Sequence, residues 1–219
     1  VRIVQPGETL YVLAWEAGID YRLIAQANGL KHPYRVVPGQ RIRISTPGDQ
    51  THGAPRPRKV IVSTVRAKSL KSIRLKPDKG TNESNNPPAN AEKTQRTWLW
   101  PAQGKVLRRF TSREESNGIE IGGKEGTLIR ASANGKVVYA GSGLRGYGNL
   151  LILKHDNQFL SAYAHNRRLL VKENDTIVAG MGIAEMGKKN SGRPRLHFEI
   201  RKNGKPVDPL NYLPARAGD

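Results

Sequence analysis

The chain has 219 residues, no cysteine, and a formal net charge of +19 from 37 lysines and arginines against 18 aspartates and glutamates. This length is sufficient for one or two domains with a sizeable core, and the lack of cysteine excludes disulfides, thiolate zinc sites and a cysteine nucleophile. The charge by itself suggests a polyanionic partner, but the sequence has no nucleic-acid-binding motif, and its 6% aromatic content is too low for a base-stacking platform.

Residues 1–46 have the pattern of a small strand–helix–helix–strand unit. Alternating polar and apolar residues at each end predict two short strands. Thr9 and Asp20 are placed to cap two helices, which end at Gly18 and at Asn28. The apolar residues that we expect to face the core at helical spacing are Leu10, Leu13, Ala14 and Ala17 in the first helix, and Leu23, Ile24 and Ala27 in the second.

Residues 47–97 have the composition of a basic, disordered linker. They are rich in Pro, Ser, Asn, Lys and Arg, and residues 51–97 carry a net charge of +8. Such a composition cannot bury enough apolar surface to become ordered. The short apolar run at 60–62 is the one part that has the pattern of a strand.

Residues 98–214 are rich in β-strand signals, and a short tail follows at 215–219. Asp156 and Asn157 stand where a hairpin turn is expected, and no convincing ten-residue helical pattern competes. We therefore expect an antiparallel sheet domain, and an α+β fold class for the chain as a whole. The four strand-like runs are residues 136–140, 149–153, 159–163 and 196–200.

The first unit resembles a LysM module, through Pro6-Gly-Glu-Thr-Leu10, Ile24-Ala-x-Ala-Asn28-Gly29 and Pro38-Gly-Gln-x-Ile42. The resemblance implies a βααβ fold that binds the N-acetylglucosamine-containing backbone of peptidoglycan or chitin. Two turns would form the lips of a shallow sugar site, although helix capping and helix termination are simpler roles that can coexist with it. The predicted glycan-binding residues are Gly7, Glu8, Thr9, Leu10, Asn28, Gly29 and Leu30.

Residues 98–214 resemble the LytM, or lysostaphin-like, zinc endopeptidase domain. Together with the LysM-like unit, they resemble NlpD-type envelope lipoproteins, which join a LysM module to a degenerate LytM domain. The segments that carry the resemblance are Trp100-Pro101, Gly118-Ile-Glu-Ile-Gly122, Gly126-Thr127, Gly135-x-Val-Val-Tyr139, Gly146-Tyr-Gly-Asn149, Tyr163-Ala-His165 and Leu196-His-Phe-Glu199.

This resemblance allows the zinc ligands of active enzymes to be traced onto the chain. A catalytic zinc site needs three protein ligands and one open position, which the family draws from a His-x-x-x-Asp and a His-x-His motif. Ser116 and Glu120 stand at the first motif, Arg195 and His197 at the second, and His165 keeps the position of a further catalytic histidine. Because serine ligates zinc poorly and arginine does not deprotonate, we predict no bound metal, no cofactor, no catalytic residue and no peptidase activity.

The other histidines and serines do not suggest a different catalytic site. His32 lies in the LysM-like unit, His52 in the linker, and His155 beside the hairpin turn, where a structural or solvated role is favoured. The sequence contains no His-Glu-x-x-His pair. A serine triad that uses Ser116 and His165 lacks the Gly-x-Ser-x-Gly elbow.

The resemblance implies a non-catalytic activator of a periplasmic zinc N-acetylmuramoyl-L-alanine amidase at the division site. The activator would displace a helix that lies across the amidase's zinc centre, which requires tighter binding to the open amidase than to the closed one. For Tyr163 the sequence favours neither the core nor the groove. The residues expected to hold this partner line the former active-site groove: Ser116, Glu120, Arg145, Tyr147, Tyr163, His165, Arg195 and His197.

Three other functions are weighed against the activator: an endopeptidase with a non-standard metal site, a passive wall-tethering protein, and a nucleic-acid-binding protein. The carboxylates of peptidoglycan stem peptides explain the positive charge better than a specific nucleic acid does.

NlpD-type proteins are periplasmic and anchored in the outer membrane by a lipidated cysteine. The chain starts at Val1 without such a cysteine, a signal segment or an apolar run of transmembrane length, so we expect a removed or absent anchor.

Overall fold

The structure is a computed structural model that describes residues 1–44, 97–111, 117–190 and 192–216. Almost all of the predicted linker, with its apolar run at 60–62, lies outside the described residues, as does Ser116. The described residues before and after this segment belong to one compact unit. In the described ranges no helix has both the length and the apolar character needed to cross a membrane.

Residues 1–44 form the predicted strand–helix–helix–strand module. Strands β1 (Arg2–Ile3) and β2 (Arg41–Ile42) pair antiparallel, and helices α1 (Leu10–Ala17) and α2 (Tyr21–Ala27) lie between them in the chain. Both predicted caps are confirmed. The Thr9 hydroxyl accepts from Val12 N at 3.3 Å, and an Asp20 carboxylate oxygen accepts from Arg22 N at 2.9 Å.

Helix α1 buries two opposite faces. Leu10, Leu13 and Ala14 pack in the module's own core, as predicted. Ala17 is exposed, whereas Val12 and Trp15, on the other side of the helix, are buried in a separate cluster with residues of the sheet domain. In α2, Ile24 is buried as predicted, while Ala27 is exposed and Leu23 is only half-buried. Val12 and Trp15 are buried because α1 packs against the sheet domain as well as against its own core.

The described part of residues 97–216 contains a ten-stranded sheet in which every strand pair is antiparallel. Its strands are β3 (Val106–Arg108), β4 (Ile119–Gly122), β5 (Leu128–Arg130), β6 (Gly135–Gly141), β7 (Asn149–Lys154), β8 (Phe159–Leu169), β9 (Thr176–Ile177), β10 (Gly182–Met186), β11 (Arg195–Lys202) and β12 (Lys205–Val207). The main order is β3-β4-β11-β8-β7-β6-β9; β10 pairs with β5 and β8, and β12 with β11. A short 3-10 turn, Pro209–Asn211, follows β12.

The four strands predicted from the sequence are confirmed as parts of β6, β7, β8 and β11. The predicted hairpin turn is confirmed as well. One carboxylate oxygen of Asp156 accepts from the backbone N–H groups of Gln158 and Phe159, both at 2.7 Å. This side-chain bonding closes the turn between β7 and β8.

Both faces of the central strands are covered. The inner face holds the main core, which includes Tyr163 and Phe198, both with no exposed surface. The outer face carries Tyr139, Leu150 and Ile152, which pack against Val12 and Trp15 of α1, among others. Strands buried on both faces are expected to read as continuous apolar runs, and Leu150–Leu153 of β7 does so.

We call the contact between the module and this outer face the seam. Arg201 donates to the Trp15 carbonyl oxygen at 2.6 Å, and its guanidinium carbon lies 3.6 Å from the centroid of the Trp15 ring. The Thr9 hydroxyl donates to the carbonyl oxygen of Val138 at 3.3 Å, and Arg22 donates to the Asn203 side-chain oxygen at 3.0 Å. The seam therefore combines apolar burial with a buried cation–π contact.

Candidate functional site

The sheet register brings some of the predicted groove residues together. His197 of β11 lies opposite Glu120 of β4 on one side and opposite Ala164 of β8 on the other, next to His165. The resulting pocket, which we call the groove, has a volume of about 140 Å³. It is lined by Arg108, Asn117, Gly146, Tyr147, His165, Lys189, His197 and Glu199.

Alternate residues of β11 form a polar row along the outer face of the sheet. Arg195, His197, Glu199 and Arg201 project to the same side, because side chains alternate along a strand, while the residues between them enter the core. The row begins at Arg195, passes through the groove at His197 and Glu199, and reaches the seam at Arg201. One strand therefore links the two regions directly.

Glu120 is held between two arginines at the start of this row. Its side chain is 5% exposed; Arg195 contacts one carboxylate oxygen at 2.8 Å and Arg108 the other at 3.2 Å. Burial favours a raised pKa, but the hydrogen bond from Arg195 and the charge of Arg108 outweigh it and lower the pKa of Glu120. Glu120 is therefore an ionised carboxylate with both oxygens engaged.

Glu199 is the buried charge at the centre of the row, and it has no exposed surface. It receives hydrogen bonds from the Tyr147 hydroxyl at 2.9 Å and from Arg201 at 3.1 Å, and His197 Nε2 lies 2.9 Å from the same oxygen as Tyr147. Burial favours a raised pKa, but the contacts with His197 and Arg201 lower it. A buried carboxylate is tolerated when it is paired and hydrogen-bonded in this way.

Tyr147 and His165 are both held in their neutral forms. Burial and the nearby charge of Glu199 raise the pKa of Tyr147 to about 12, so its hydroxyl remains a donor. Burial and the neighbouring charges of His197 and Lys189 lower the pKa of His165 to about 4. The backbone of His165 is left-handed, with φ of 62°, and its N–H donates to the Tyr147 carbonyl oxygen at 2.9 Å.

The described residues do not fit a three-ligand zinc site. No cluster of three or more His, Cys, Asp and Glu suited to a metal ion occurs among them. Glu120 would have to release two guanidinium groups to bind a cation, and Nε2 of His197 already contacts Glu199. Arg195 also places a permanent positive charge 2.8 Å from the Glu120 oxygen that would bind the metal.

The groove differs in part from its sequence-based prediction. Arg145 is exposed on the loop before Tyr147 and does not line the pocket. Glu120 and Arg195 do not line it either; they lie next to it, where Glu120 pairs with the lining residue Arg108. Tyr163 belongs to the core, where its hydroxyl accepts from Ser132 N at 2.9 Å. Four polar residues that line the pocket were not predicted from the sequence: Arg108, Asn117, Lys189 and Glu199. Glu199 had a signal, a lone acidic residue inside an apolar strand run; the others had none, because loops and neighbouring strands bring them to the groove.

The predicted glycan-binding residues separate into two groups. Gly7, Glu8 and Thr9 line a larger open cleft of about 790 Å³, which we call the cleft, between the module and β6–β7. Leu10 has no exposed surface and serves as core. Asn28 does not line the cleft either, since its side-chain amide donates to Ile24 O at 2.8 Å and its side-chain oxygen accepts from Arg43 N at 2.8 Å.

The second predicted lip also includes Gly29 and Leu30, which follow Asn28. Gly29 is exposed with φ of 65°, the left-handed backbone that glycine adopts at low cost. Leu30 packs half-buried against the module core. Neither residue lines the cleft, so the structure places only the first lip there.

Comparisons with known families match both parts of the chain. The LysM domain model matches residues 3–45, and the Peptidase family M23 model matches residues 114–209. The catalytic domain of lysostaphin from Staphylococcus simulans is a similar solved structure, 26% identical with a TM-score of 0.44, covering 51% of this chain and 91% of that one.

Two curated relatives align with nearly the whole chain. The lipoprotein NlpD/LppB homolog of Pseudomonas aeruginosa is 41% identical over 228 residues, which cover 98% of this chain and 77% of that protein. The murein hydrolase activator NlpD of Escherichia coli K12 is 37% identical over 255 residues, which cover 97% of this chain and 67% of that protein.

Proposed function

Because the chain belongs to the NlpD family of murein hydrolase activators, we propose that it binds peptidoglycan through its LysM module and activates a wall hydrolase without cleaving the wall itself. The hydrolase in this proposal is a periplasmic zinc N-acetylmuramoyl-L-alanine amidase that splits septal peptidoglycan in cell division. The relatives' names as lipoproteins support an envelope location. We propose that the full-length protein is anchored in the outer membrane and faces the periplasm.

The observation that carries the non-catalytic part is the pairing of Glu120 with Arg195 and Arg108. A carboxylate that holds two guanidinium groups is not available to a dication, and each arginine repels such a cation. The arginines beside the groove therefore favour an anionic ligand over a metal cation.

The rim of the groove supports a partner segment that carries carboxylates. The side chains of Arg195 and Arg108 are 26% and 41% exposed, so both arginines reach solvent while they hold Glu120. Lys189 adds a third positive charge, and Tyr147 provides an aromatic wall. Arginine and aromatic residues are the usual anchors of protein interfaces. We propose that this rim binds the autoinhibitory helix of the amidase and holds it away from the amidase's zinc.

The test is a purified-component assay that measures dye release from labelled wall sacculi. We expect release only when this protein and the amidase are both present. Arg195→Glu should abolish activation because it reverses the charge at the rim. Lys172→Glu is the matched control: Lys172 is exposed and precedes β9, at the other end of the strand order. Release by this protein alone would instead identify an endopeptidase, and wall retention without release a passive tether.

A further inference from the structure

The cleft between the module and the sheet is large enough for a sugar with an attached peptide. Its volume of about 790 Å³ falls in the range of small-molecule sites, about 300–1,000 Å³. One wall comes from the module and includes Glu8, Tyr34 and Arg35. The other wall comes from the sheet and includes Lys136 and Lys154. The sheet wall lies outside the LysM module, so nothing in the module's own pattern predicts it.

Two lysines lie side by side on the sheet wall of the cleft. Lys136 of β6 and Lys154 of β7 are directly paired in the register, on the same face as Ile152, which packs against the module. Like charges directly opposite on a sheet are destabilising. Burial, with the charges of Arg22 and Lys136, lowers the pKa of Lys154 even though Asp156 opposes the shift. An anion in the cleft would relieve this repulsion.

The carboxylates that line the cleft are occupied elsewhere. Glu8 forms an ion pair with Arg2 and accepts from Gln5 N at 2.8 Å. Asp156 accepts from two backbone N–H groups of the hairpin turn. Glu173 has a backbone hydrogen-bond partner at Ala140, and burial raises its pKa because it outweighs the lowering effect of this hydrogen bond. Within the part of the chain that the structure describes, no ion pair joins a carboxylate to the lysine pair.

The module wall offers the apolar and aromatic surface that a sugar ring needs. Tyr11 and Tyr34 both line the cleft, and the ring of Tyr34 is braced edge-on by Tyr21 at 5.7 Å and by His32 at 5.6 Å between centroids. Rigid aromatic walls with a few placed polar groups are typical of ligand sites. The two walls therefore have different chemistry, one for the sugar and one for an anion.

We propose that the cleft is a composite site for a carboxylate-bearing glycan, in which the module wall packs the sugar and Lys136 and Lys154 bind carboxylates of the attached peptide. This inference rests on the peptidoglycan-binding part of the proposed function. It adds that the sheet domain selects peptide-bearing strands, which the LysM module alone would not distinguish from stripped ones.

The experiment titrates the full chain with three soluble probes by calorimetry. The probes are a disaccharide-tetrapeptide from sacculi, the same compound with its carboxylates amidated, and a neutral chito-oligosaccharide. We expect Lys136→Gln with Lys154→Gln to weaken binding of the first probe about tenfold, and each single change about threefold. Binding of the neutral probe should stay within about twofold. Lys105→Gln, which precedes β3 at the opposite end of the strand order, is the matched control.

Amidation of the ligand tests the same charges without changing the protein. The parent chain should bind the amidated probe as weakly as the double variant binds the natural one. Equal binding of all three probes by the parent chain would overturn the proposal, and so would equal losses for the charged and neutral probes in the double variant. The amidase assay is separate: an intact preference for the charged probe without amidase activation would overturn the activator part of the proposed function and leave the cleft assignment standing.

Discussion

The indole N–H of Trp15 lies 3.3 Å from the hydroxyl oxygen of Tyr147, to which it donates a hydrogen bond. The same hydroxyl donates to Glu199 at 2.9 Å, and Glu199 also contacts His197 in the groove. Tyr147 therefore belongs to both the seam and the groove. A change in how the module sits on the sheet acts on the groove through one side chain.

We predict that Trp15→Ala lowers the free energy of unfolding by about 3 kcal/mol, the lower end for a buried aromatic residue cut to alanine. Trp15 is 3% exposed and also stacks with Arg201. Trp15→Phe is the matched variant, because it keeps a ring over Arg201 and loses the N–H donor, with an expected cost of about 1 kcal/mol. Urea denaturation followed by circular dichroism measures both. Equal losses for the two variants would contradict the stacking contribution.

Gly204→Ala should separate the module from the sheet. A Cβ at Gly204 would lie 2.4 Å from the Asp20 backbone nitrogen and 2.5 Å from the Ile19 carbonyl carbon, and φ is +81°. Gly39→Ala is a matched control, since Gly39 has φ of +84° with no atom within 4 Å of its Cβ, and it should cost only the backbone strain of about 1 kcal/mol.

Hydrogen exchange read by mass spectrometry would detect this separation. We expect faster exchange in α1 and β12 of the Gly204→Ala protein, with the inner strands β8 and β11 still protected, because the main core does not include the seam. Unchanged protection of α1 would show that the backbone shifts to accommodate the new methyl group.

Acidification should destabilise the protein through His165. Its folded-state pKa is about 4, whereas an ordinary histidine has a pKa near 6.5, so the unfolded chain binds more protons between these values. Stability present above pH 6.5 is therefore lost as the pH falls towards 4, on the order of 2 kcal/mol. The pKa values of Glu120 and Glu199 are lowered, so both bind protons mostly below this pH window and add little to the loss of stability within it.

His165→Gln is the control for this pH dependence, and it should flatten the slope of stability against pH in that window. Proton NMR of the imidazole of His165 gives a direct readout. Titration of His165 near pH 6.5 in the folded protein would contradict the prediction.

Metal analysis tests whether the groove binds zinc. We expect protein purified without chelator to contain no stoichiometric zinc, because Glu120 is held by Arg195 and Arg108. The combined substitution of Ser116→His, Glu120→Asp and Arg195→His restores the family's ligand types and should gain zinc, which shows that the measurement can detect it. Stoichiometric zinc in the parent protein would overturn the prediction.

Local features were predictable from the sequence, because they depend on residues close together in the chain. The caps Thr9 and Asp20, the hairpin turn at Asp156 and the four long strand segments are examples. Three residues of the groove, Tyr147, His165 and His197, were predictable because they lie in sequence motifs that resemble the family. Arg108 entered the groove only through the pairing of β3 with β4, which no local pattern encodes.

The seam was not predictable because its partners are far apart in the chain. Trp15 and Tyr147 are separated by 132 residues. A helical sequence pattern identifies a single apolar face, which is sufficient for a helix that packs on one core. For α1 the pattern predicts the face that contains Leu10 and Leu13. That prediction did not include Val12 and Trp15 on the other side of the helix, although both are buried in a cluster with the sheet domain.

The two hydrogen bonds of Thr9 affect how mutagenesis of the sugar site should be designed. Its hydroxyl caps α1 and also donates to the Val138 carbonyl oxygen. A Thr9 variant that no longer retains wall material would therefore report a frayed helix and a loosened module as much as a lost sugar contact. Loss of binding in a Thr9→Ala variant indicates lost recognition only when its circular dichroism and thermal unfolding match those of the parent chain.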